Sequence, residues 1–313
     1  GAALHAMDKA STAEPGSEFV GAENLSEAVN FATRSINCSG CTNKCQVSVY
    51  KFPNGRVCYS GNKCEKIFTN DSERQERGEN IFEYKRELIF NRPVKPGGLR
   101  IGIPRVLNIY ENYPFWHALL TGCGFEPVLS GESSYEIYQK GLGALLSDNI
   151  CFPAKLAHGH VADLVEKEVD RILLPMVVYE KKEFSESSNS FNCPIVTGYG
   201  EVLRSTRSDA GNPPVPFDTP AVNFDDLKLL KKACHKYCSG LGASRAVFLK
   251  AFDSALRAQT EFKESTVRRN QEILRKSEDK SRLAVLVASH PYHIDNLIHQ
   301  QVSQTLADFG VDV

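Results

Sequence analysis

Four cysteines near the start of the chain, Cys38, Cys41, Cys45 and Cys64, follow the spacing C-x2-C-x3-C-x18-C. Two thiols close together, a third soon after and a fourth brought back by a hairpin are how a chain wraps a tetrahedral thiophilic ion or an iron–sulfur cube. The last cysteine closes Gly61-Asn62-Lys63-Cys64, a knuckle-like turn that lets backbone N–H groups approach the sulfur. The thiols are therefore expected to be reduced and to act as ligands, of zinc or of an iron–sulfur centre. Two disulfides are the other arrangement. That needs an oxidising compartment, and no stretch of the chain reads as a secretory signal.

The residues between the third and fourth cysteines suit this geometry. Gln46 to Tyr50 and Arg56 to Tyr59 alternate like short strands around Pro53-Asn54-Gly55, a hairpin turn by composition. Cys58 lies in the second strand and reads as a packing residue. At 313 residues, 42% of them hydrophobic, the chain is long enough for two domains with their own cores. A formal net charge of −1 gives no bulk attraction to nucleic acid or to an anionic membrane. No run approaches the ~18 apolar residues of a membrane span. Ten cysteines in a chain of this size point to ligation rather than a stapled scaffold, and the expected compartment is the cytoplasm. Gly1 to Met7 reads as a cloning scar and Val311-Asp312-Val313 as the middle of a strand, so a larger protein is expected.

Residues 1–30 are small and polar and read as a tail, with a helical end at Leu25 to Phe31. Residues 31–70 hold the cysteine module, and 71–98 read as an exposed charged helix (Asp71 to Glu87) and a Pro/Gly linker. From residue 99 the pattern changes. Leu99 to Ile103 is a buried-strand run, Asn112 to Cys123 a helix and Phe125 to Leu129 a second strand, together a βαβ unit. Helices are expected over 135–145 and 153–169, a strand over Arg171 to Pro175 and a serine-rich loop over 181–191. A strand over Cys193 to Thr197 and a short helix over 201–207 follow. The fold class is thus α/β, with 99–210 a Rossmann-like parallel-sheet domain. Residues 211–280 form a helical connection after a proline break, with apolar positions at Leu227, Leu230, Ala233, Leu241, Val247 and Leu249. Residues 281–313 repeat the order of 99–130: strand Leu283 to Val287, a loop with Pro and Tyr, a helix to Phe309, Gly310 and a strand. They are expected to start a second similar α/β domain.

Beyond the module, Cys151 carries the most information. Pro153 suits the first turn of a helix, which puts Cys151 at a helix N-terminus, where free N–H groups favour an anionic ligand. Lys155 adds positive charge one turn along. Asn192-Cys193-Pro194 repeats this chemistry at the end of another element. Each reads as a ligand or redox cysteine, with a structural cysteine as the plain alternative. Cys234 and Cys238, at i and i+4, share a helix face, either as half a metal site or as two small side chains in a core. Cys123 reads as core. His290-Pro-Tyr-His293-Ile-Asp295 directly follows a strand, where open α/β sheets collect ligands, although its polar groups equally suit helix capping. Arg105, Asn108, Tyr110 and Asn112 hold the corresponding place in the first unit. No Gly-x-x-x-x-Gly-Lys-Ser/Thr loop and no Gly-x-Gly-x-x-Gly fingerprint is present.

Four of these stretches together resemble one family. Ile103-Pro-Arg-Val-Leu-Asn-Ile-Tyr-Glu-Asn-Tyr-Pro-Phe-Trp116, Cys151-Phe-Pro-Ala-Lys-Leu-Ala-His-Gly-His160, Asn192-Cys-Pro-Ile-Val-Thr197 and His290-Pro-Tyr-His-Ile-Asp295 look like the activase-related region of the CoA-substrate-specific enzyme activases. These are relatives of the 2-hydroxyacyl-CoA dehydratase system and of the double-cubane-cluster reductases. The resemblance spans roughly 36–313, and Gly61-Asn-Lys-Cys-Glu65 fits it as well. It implies a pair of Rossmann-like domains in which cysteines from separate loops, here Cys151 and Cys193, hold a [4Fe–4S] cluster. It also implies ATP-driven, low-potential electron transfer in an anaerobic system, with a partner ATPase as donor. The actin-like ATPase domains of the large members are absent from these residues, so ATP hydrolysis is not expected of them. A third cluster cysteine is expected at Cys234 or Cys238, or beyond Val313.

The leading functional expectation is an iron–sulfur redox component of an activase or dehydratase-type system, linked to CoA-thioester chemistry. The four-cysteine module is then structural or holds a second metal. A second reading is a non-catalytic, zinc-stabilised module that docks an ATPase to its client enzyme. A third is a 2-hydroxyacyl-CoA dehydratase-like subunit in which His158, His160 or Lys155 handles protons.

Overall fold

The alternating runs of the cysteine module form an antiparallel meander of β1 (Ala32–Asn37), β2 (Gln46–Lys51) and β3 (Val57–Ser60). Strands β2 and β3 are the expected hairpin, and β1 adds a third strand, Ala32 opposite Lys51 through Asn37 opposite Gln46. Val47 and Val49 of β2 face inward and are buried. The computed structural model describes residues 31–40, 44–53, 55–62, 67–68, 76–206 and 215–313. Cys41, Cys64 and the segment 1–30 lie outside them. Two compact units divide the chain, Gly1–Arg74 and Gln75–Val313.

The second unit opens with α1 (Ile81–Phe90), whose Ile81, Phe82 and Ile89 are buried where an exposed connecting helix is expected. Then come β4 (Arg100–Ile103), α2 (Ile109–Gly122), β5 (Glu126–Leu129), α3 (Tyr135–Gly141) and α4 (Phe152–Glu166). Strands β6 (Arg171–Leu173) and β7 (Met176–Tyr179) follow, and then α5 (Pro194–Ser205). Last are β8 (Phe217–Asp218), β9 (Ala221–Asn223), α6 (Leu227–Gly240), α7 (Arg245–Asp279) and α8 (Val302–Asp308). The main sheet is parallel throughout, in the order β5-β4-β6-β8, and β7 pairs with β9 in parallel. Pro175 and Pro220 interrupt what is otherwise one pair of long strands, since proline lacks the ladder donor. The ladder carries across the break, Leu174 N–H to Asp218 O at 3.0 Å and Met176 N–H to Pro220 O at 3.0 Å. Helix α2 packs with α1 and α7, and α4 with α3 and α5, two groups as winding on both faces of a sheet requires.

Two expectations change here. Residues 193–197 are not a strand: Pro194 opens α5, and Val196, Tyr199, Gly200 and Leu203 recur at helical spacing as its buried face. The apolar pair Ile195-Val196 is too short to tell strand from helix by itself. The expected long helix up to Phe309 is broken by Gln300 and Gln301, whose φ of 52° and 60° lie in the left-handed region, so only α8 remains regular. Residues 281–313 are built into the same unit as the main sheet. Ala284 makes a single parallel bridge to Asp312. Val313 exchanges backbone hydrogen bonds with Glu79 and Ile81 (2.9 and 3.0 Å), and the buried Asp312 accepts from Ser277 Oγ at 2.7 Å. Among the described residues, no helix is long and apolar enough to cross a membrane.

Helix α2 is the centre of this unit. Tyr113, Phe115, Trp116, Leu119 and Leu120 are almost fully buried, each large side chain contributing roughly 2–3 kcal/mol of burial. Pro114 sits inside the helix and disrupts its ladder. Gln259 of α7 fills the break: its Oε1 accepts the Phe115 N–H at 3.2 Å and its Nε2 donates to Glu111 O at 2.9 Å. One carboxamide thus satisfies both backbone groups that a regular helix would have paired with each other. Gln259→Leu should cost about 1–3 kcal/mol in denaturant unfolding, because two partly buried backbone groups lose their partners. Little or no loss would mean the break is solvated instead.

Candidate functional site

Cys151 and Cys193 occupy equivalent positions. Each is the residue immediately before a helix, α4 or α5, with extended backbone (ψ 151° and 158°), a proline in the first turn and no side-chain cap. The first-turn amides of both helices therefore keep a bare positive end. Both thiols are exposed. Helices α4 and α5 are tied together by the hydrogen bond between His158 Nε2 and Tyr199 Oη at 2.8 Å. The backbone of α4 is also pressed onto α3. A Cβ on Gly159 would lie 1.9 Å from Ile137 O, so only glycine allows the approach.

A third element is coupled electrostatically to the two cysteines. The loop 290–295 carries Tyr292, stacked at 5.2 Å on His290 and at 5.0 Å from His293. Burial raises the pKa of the Tyr292 hydroxyl, and negative charge at Cys193 and Cys151 raises it further. Tyr199 is likewise raised by burial and by Cys151. The two cysteines, from separate segments, thus share one electrostatic neighbourhood with Tyr292 and Tyr199.

What holds that loop is a chain of buried hydrogen bonds. Arg105 N–H donates to Ser130 Oγ at 2.8 Å, and Ser130 Oγ bonds His160 Nδ1 at 2.8 Å. His160 Nε2 bonds Ser133 Oγ at 3.0 Å, and Ser133 and Tyr110 both donate to Asp295 Oδ2. Asp295 Oδ1 accepts the amides of Leu297 and Ile298 at 2.8 and 3.1 Å. The directions are forced. Ser133 has one hydrogen, given to Asp295, so it accepts from His160 Nε2–H, leaving Nδ1 to accept from Ser130. A neutral ring satisfies every link, and burial holds the His160 pKa down at about 4.

The polar residues after β4 are similarly engaged. Asn108 and Asn112 donate to the Glu180 carboxylate, Asn112 at 3.0 and 3.3 Å, while burial and then the charge of Glu111 raise the Glu180 pKa. Arg105 pairs with Glu132 at 3.5 Å. At the switch point between β4 and β6, where open sheets usually admit ligands, Leu107, Asn108, Trp116, Leu174 and Val177 leave a cavity of only about 10 Å³.

Cys234 and Cys238 do not reach Cys151 and Cys193. Both are buried on α6 within electrostatic reach of Cys123, the C-cap of α2, at the end of the unit where β5 begins. Cys151 and Cys193 stand at helix N-termini, the opposite end in a parallel α/β layer. Neither cysteine is therefore the third ligand that was expected. His158 and His160 are also buried, and desolvation lowers both pKa values, so neither ring is presented for proton exchange with a substrate. In the cysteine module, Gly40 N–H donates to Cys38 Sγ at 3.4 Å, and Gly61 turns at φ 91° with its α-carbon against Gln46 O. Among the described residues, no group of three or more His, Cys, Asp or Glu side chains is arranged to hold a metal ion.

A family model, the CoA enzyme activase uncharacterised domain, matches residues 100–313. The chain belongs to that family. A search of curated proteins and one of solved structures each found no match. The matched span contains Cys151, Cys193, the His160 chain and loop 290–295 of this CoA enzyme activase domain, and it excludes the cysteine module. The resemblance expected from the four motifs is therefore correct.

The hydrogen-bond chain makes a pH prediction. The folded-state pKa of His160, about 4, lies below the ordinary imidazole value of 6.5. Its contribution is complete above pH 6.5 and is lost as the pH falls toward 4, where the unfolded chain binds a proton that the folded one does not. The loss amounts to at most about 3 kcal/mol. His160→Gln should be destabilised at neutral pH by about 1–3 kcal/mol. Its stability should also fall less steeply than wild type between pH 6.5 and 4, as measured by urea unfolding at a series of pH values. Equal slopes would show that the ring is not the neutral link.

Proposed function

We propose that this CoA enzyme activase domain is an iron–sulfur electron-transfer component, with Cys151 and Cys193 as protein ligands of a [4Fe–4S] cluster. The observation that carries this reading is the matched pair of exposed thiols at uncapped helix N-termini, both acting on Tyr292. Thiols are the donors such a cluster uses, and bare helix amides suit its negative charge. The donor set therefore fits in kind and supplies two ligands. The cluster, when bound, stores and passes an electron at low potential.

The chain's own residues do the rest. The amides of α4 and α5 stabilise negative charge at the pair. Tyr292, in the loop that Asp295 anchors, is within electrostatic reach of both cysteines. The His158–Tyr199 bond keeps the two helix ends in register. The partner is an activating ATPase and the acceptor an enzyme of CoA-thioester chemistry. Cys38, Cys41, Cys45 and Cys64 hold zinc or an iron–sulfur centre of their own. The N–H···S bond to Cys38 and the tight Gly61 turn support this, because backbone amides commonly support metal-bound thiolates.

Purification without oxygen, with iron, sulfide and zinc assays and a visible spectrum, tests both sites. Wild type should be brown. Cys151→Ser and Cys193→Ser should each lose the iron and sulfide of one cluster while keeping the metal of the four-cysteine module. A colourless protein containing only zinc, even after reconstitution with iron and sulfide, would refute the redox role and favour the docking module.

A further inference from the structure

Two polar groups in the wall of the small cavity at the switch point take no part in the proposed electron-transfer site. One is the indole of Trp116. The ring is 1% exposed and lines the cavity, and its Nε1–H has no acceptor among the described residues. A buried donor loses its hydration on folding, so folded chains rarely leave one unpaired.

The other is the carbonyl of Leu174, which lies at the proline break of the sheet. In the parallel ladder, Leu174 N–H donates to Asp218 O and Met176 N–H to Pro220 O, each at 3.0 Å. The register therefore assigns Leu174 O to the backbone nitrogen of residue 220. That residue is proline and has no hydrogen to give. No amide among the described residues takes its place. Leu174 O also borders the cavity: a Cβ on Gly200 would stand 3.4 Å from it, and Gly200 of α5 lines the same space. An indole N–H can only donate and a carbonyl can only accept, so the two groups are complementary. They do not bond each other. The space their walls enclose, about 10 Å³, is about what one water molecule needs, and it offers that water a donor and an acceptor.

We propose that this cavity is a binding site for a single structural water, which accepts from Trp116 Nε1–H and donates to Leu174 O. The water supplies the hydrogen that Pro220 lacks and joins α2 to the interrupted strand. Val196 and Gly200 form part of the wall, so the water also seats α5, the helix that begins at Cys193. The inference is independent of any cluster at that cysteine.

The test is nuclear magnetic resonance of the full chain. Its single tryptophan gives one indole N–H signal in an isotope-labelled sample. None of the residues lining the cavity carries a hydroxyl, so none can relay magnetisation from solvent to that proton by exchange. Water-selective NOE and ROE spectra should show opposite signs at the indole N–H, the mark of a held water rather than of passing solvent. The same water should reach the α-hydrogens of Gly200. Pro220→Ala restores an amide hydrogen opposite Leu174 O, and the indole contact with water should then be lost or markedly weakened. The proposal is overturned if the wild-type indole shows no water contact, or only exchange with solvent. It is equally overturned if that contact comes without one at Gly200, or survives Pro220→Ala unchanged. The wild-type spectra decide the matter even if the variant fails to fold.

Discussion

The neutral imidazole of His160 is the link on which the candidate site depends. It has to accept on one nitrogen and donate on the other for Ser130, Ser133, Tyr110 and Asp295 to be satisfied together. These groups come from the end of β5, the loop after it, α2, α4 and the segment after α7, so one ring joins five parts of the chain. At the far end is a buried carboxylate, which is tolerable only because two hydroxyls and two backbone amides point at it. Loop 290–295 owes its place to that carboxylate. Through the loop, so does Tyr292.

A second constraint directs where chemistry can occur. The crevice between β4 and β6 is the usual ligand site of such a sheet, and here Leu107, Trp116, Leu174 and Val177 line a cavity of about 10 Å³. Asn108 and Asn112, which a glycine-rich phosphate loop would replace, are committed to Glu180. Helices α4 and α5 start at Cys151 and Cys193 with no side-chain cap.

The irregular prolines show how far local preference is overruled. Pro114 would break an isolated helix, yet α2 continues because Gln259 supplies the missing hydrogen bonds. Pro175 and Pro220 interrupt neighbouring strands near the same level, so a single gap serves both and the ladder resumes beyond it. In each case the compensation comes from a residue distant in sequence.

The parallel α/β layer, most of its elements and the helix-capping place of Cys151 were legible in the sequence. Buried-strand runs, helical spacing and a proline in the first turn are local signals. The same signals recovered the β2–β3 hairpin, and the four motifs were enough to indicate the family. Residues 193–197 were misread because two apolar residues cannot distinguish a strand from a helix, although the spacing of Val196, Tyr199, Gly200 and Leu203 held the answer. The sequence could not show that Cys234 and Cys238 are buried on α6 at the other end of the unit from Cys151 and Cys193, nor that His158 and His160 are buried and hydrogen-bonded. It also could not show that 281–313 belongs to the unit of the main sheet. Those outcomes depend on which residues meet across long separations. Periodicity determines which face of an element is buried, but only the packed structure decides what lies against it.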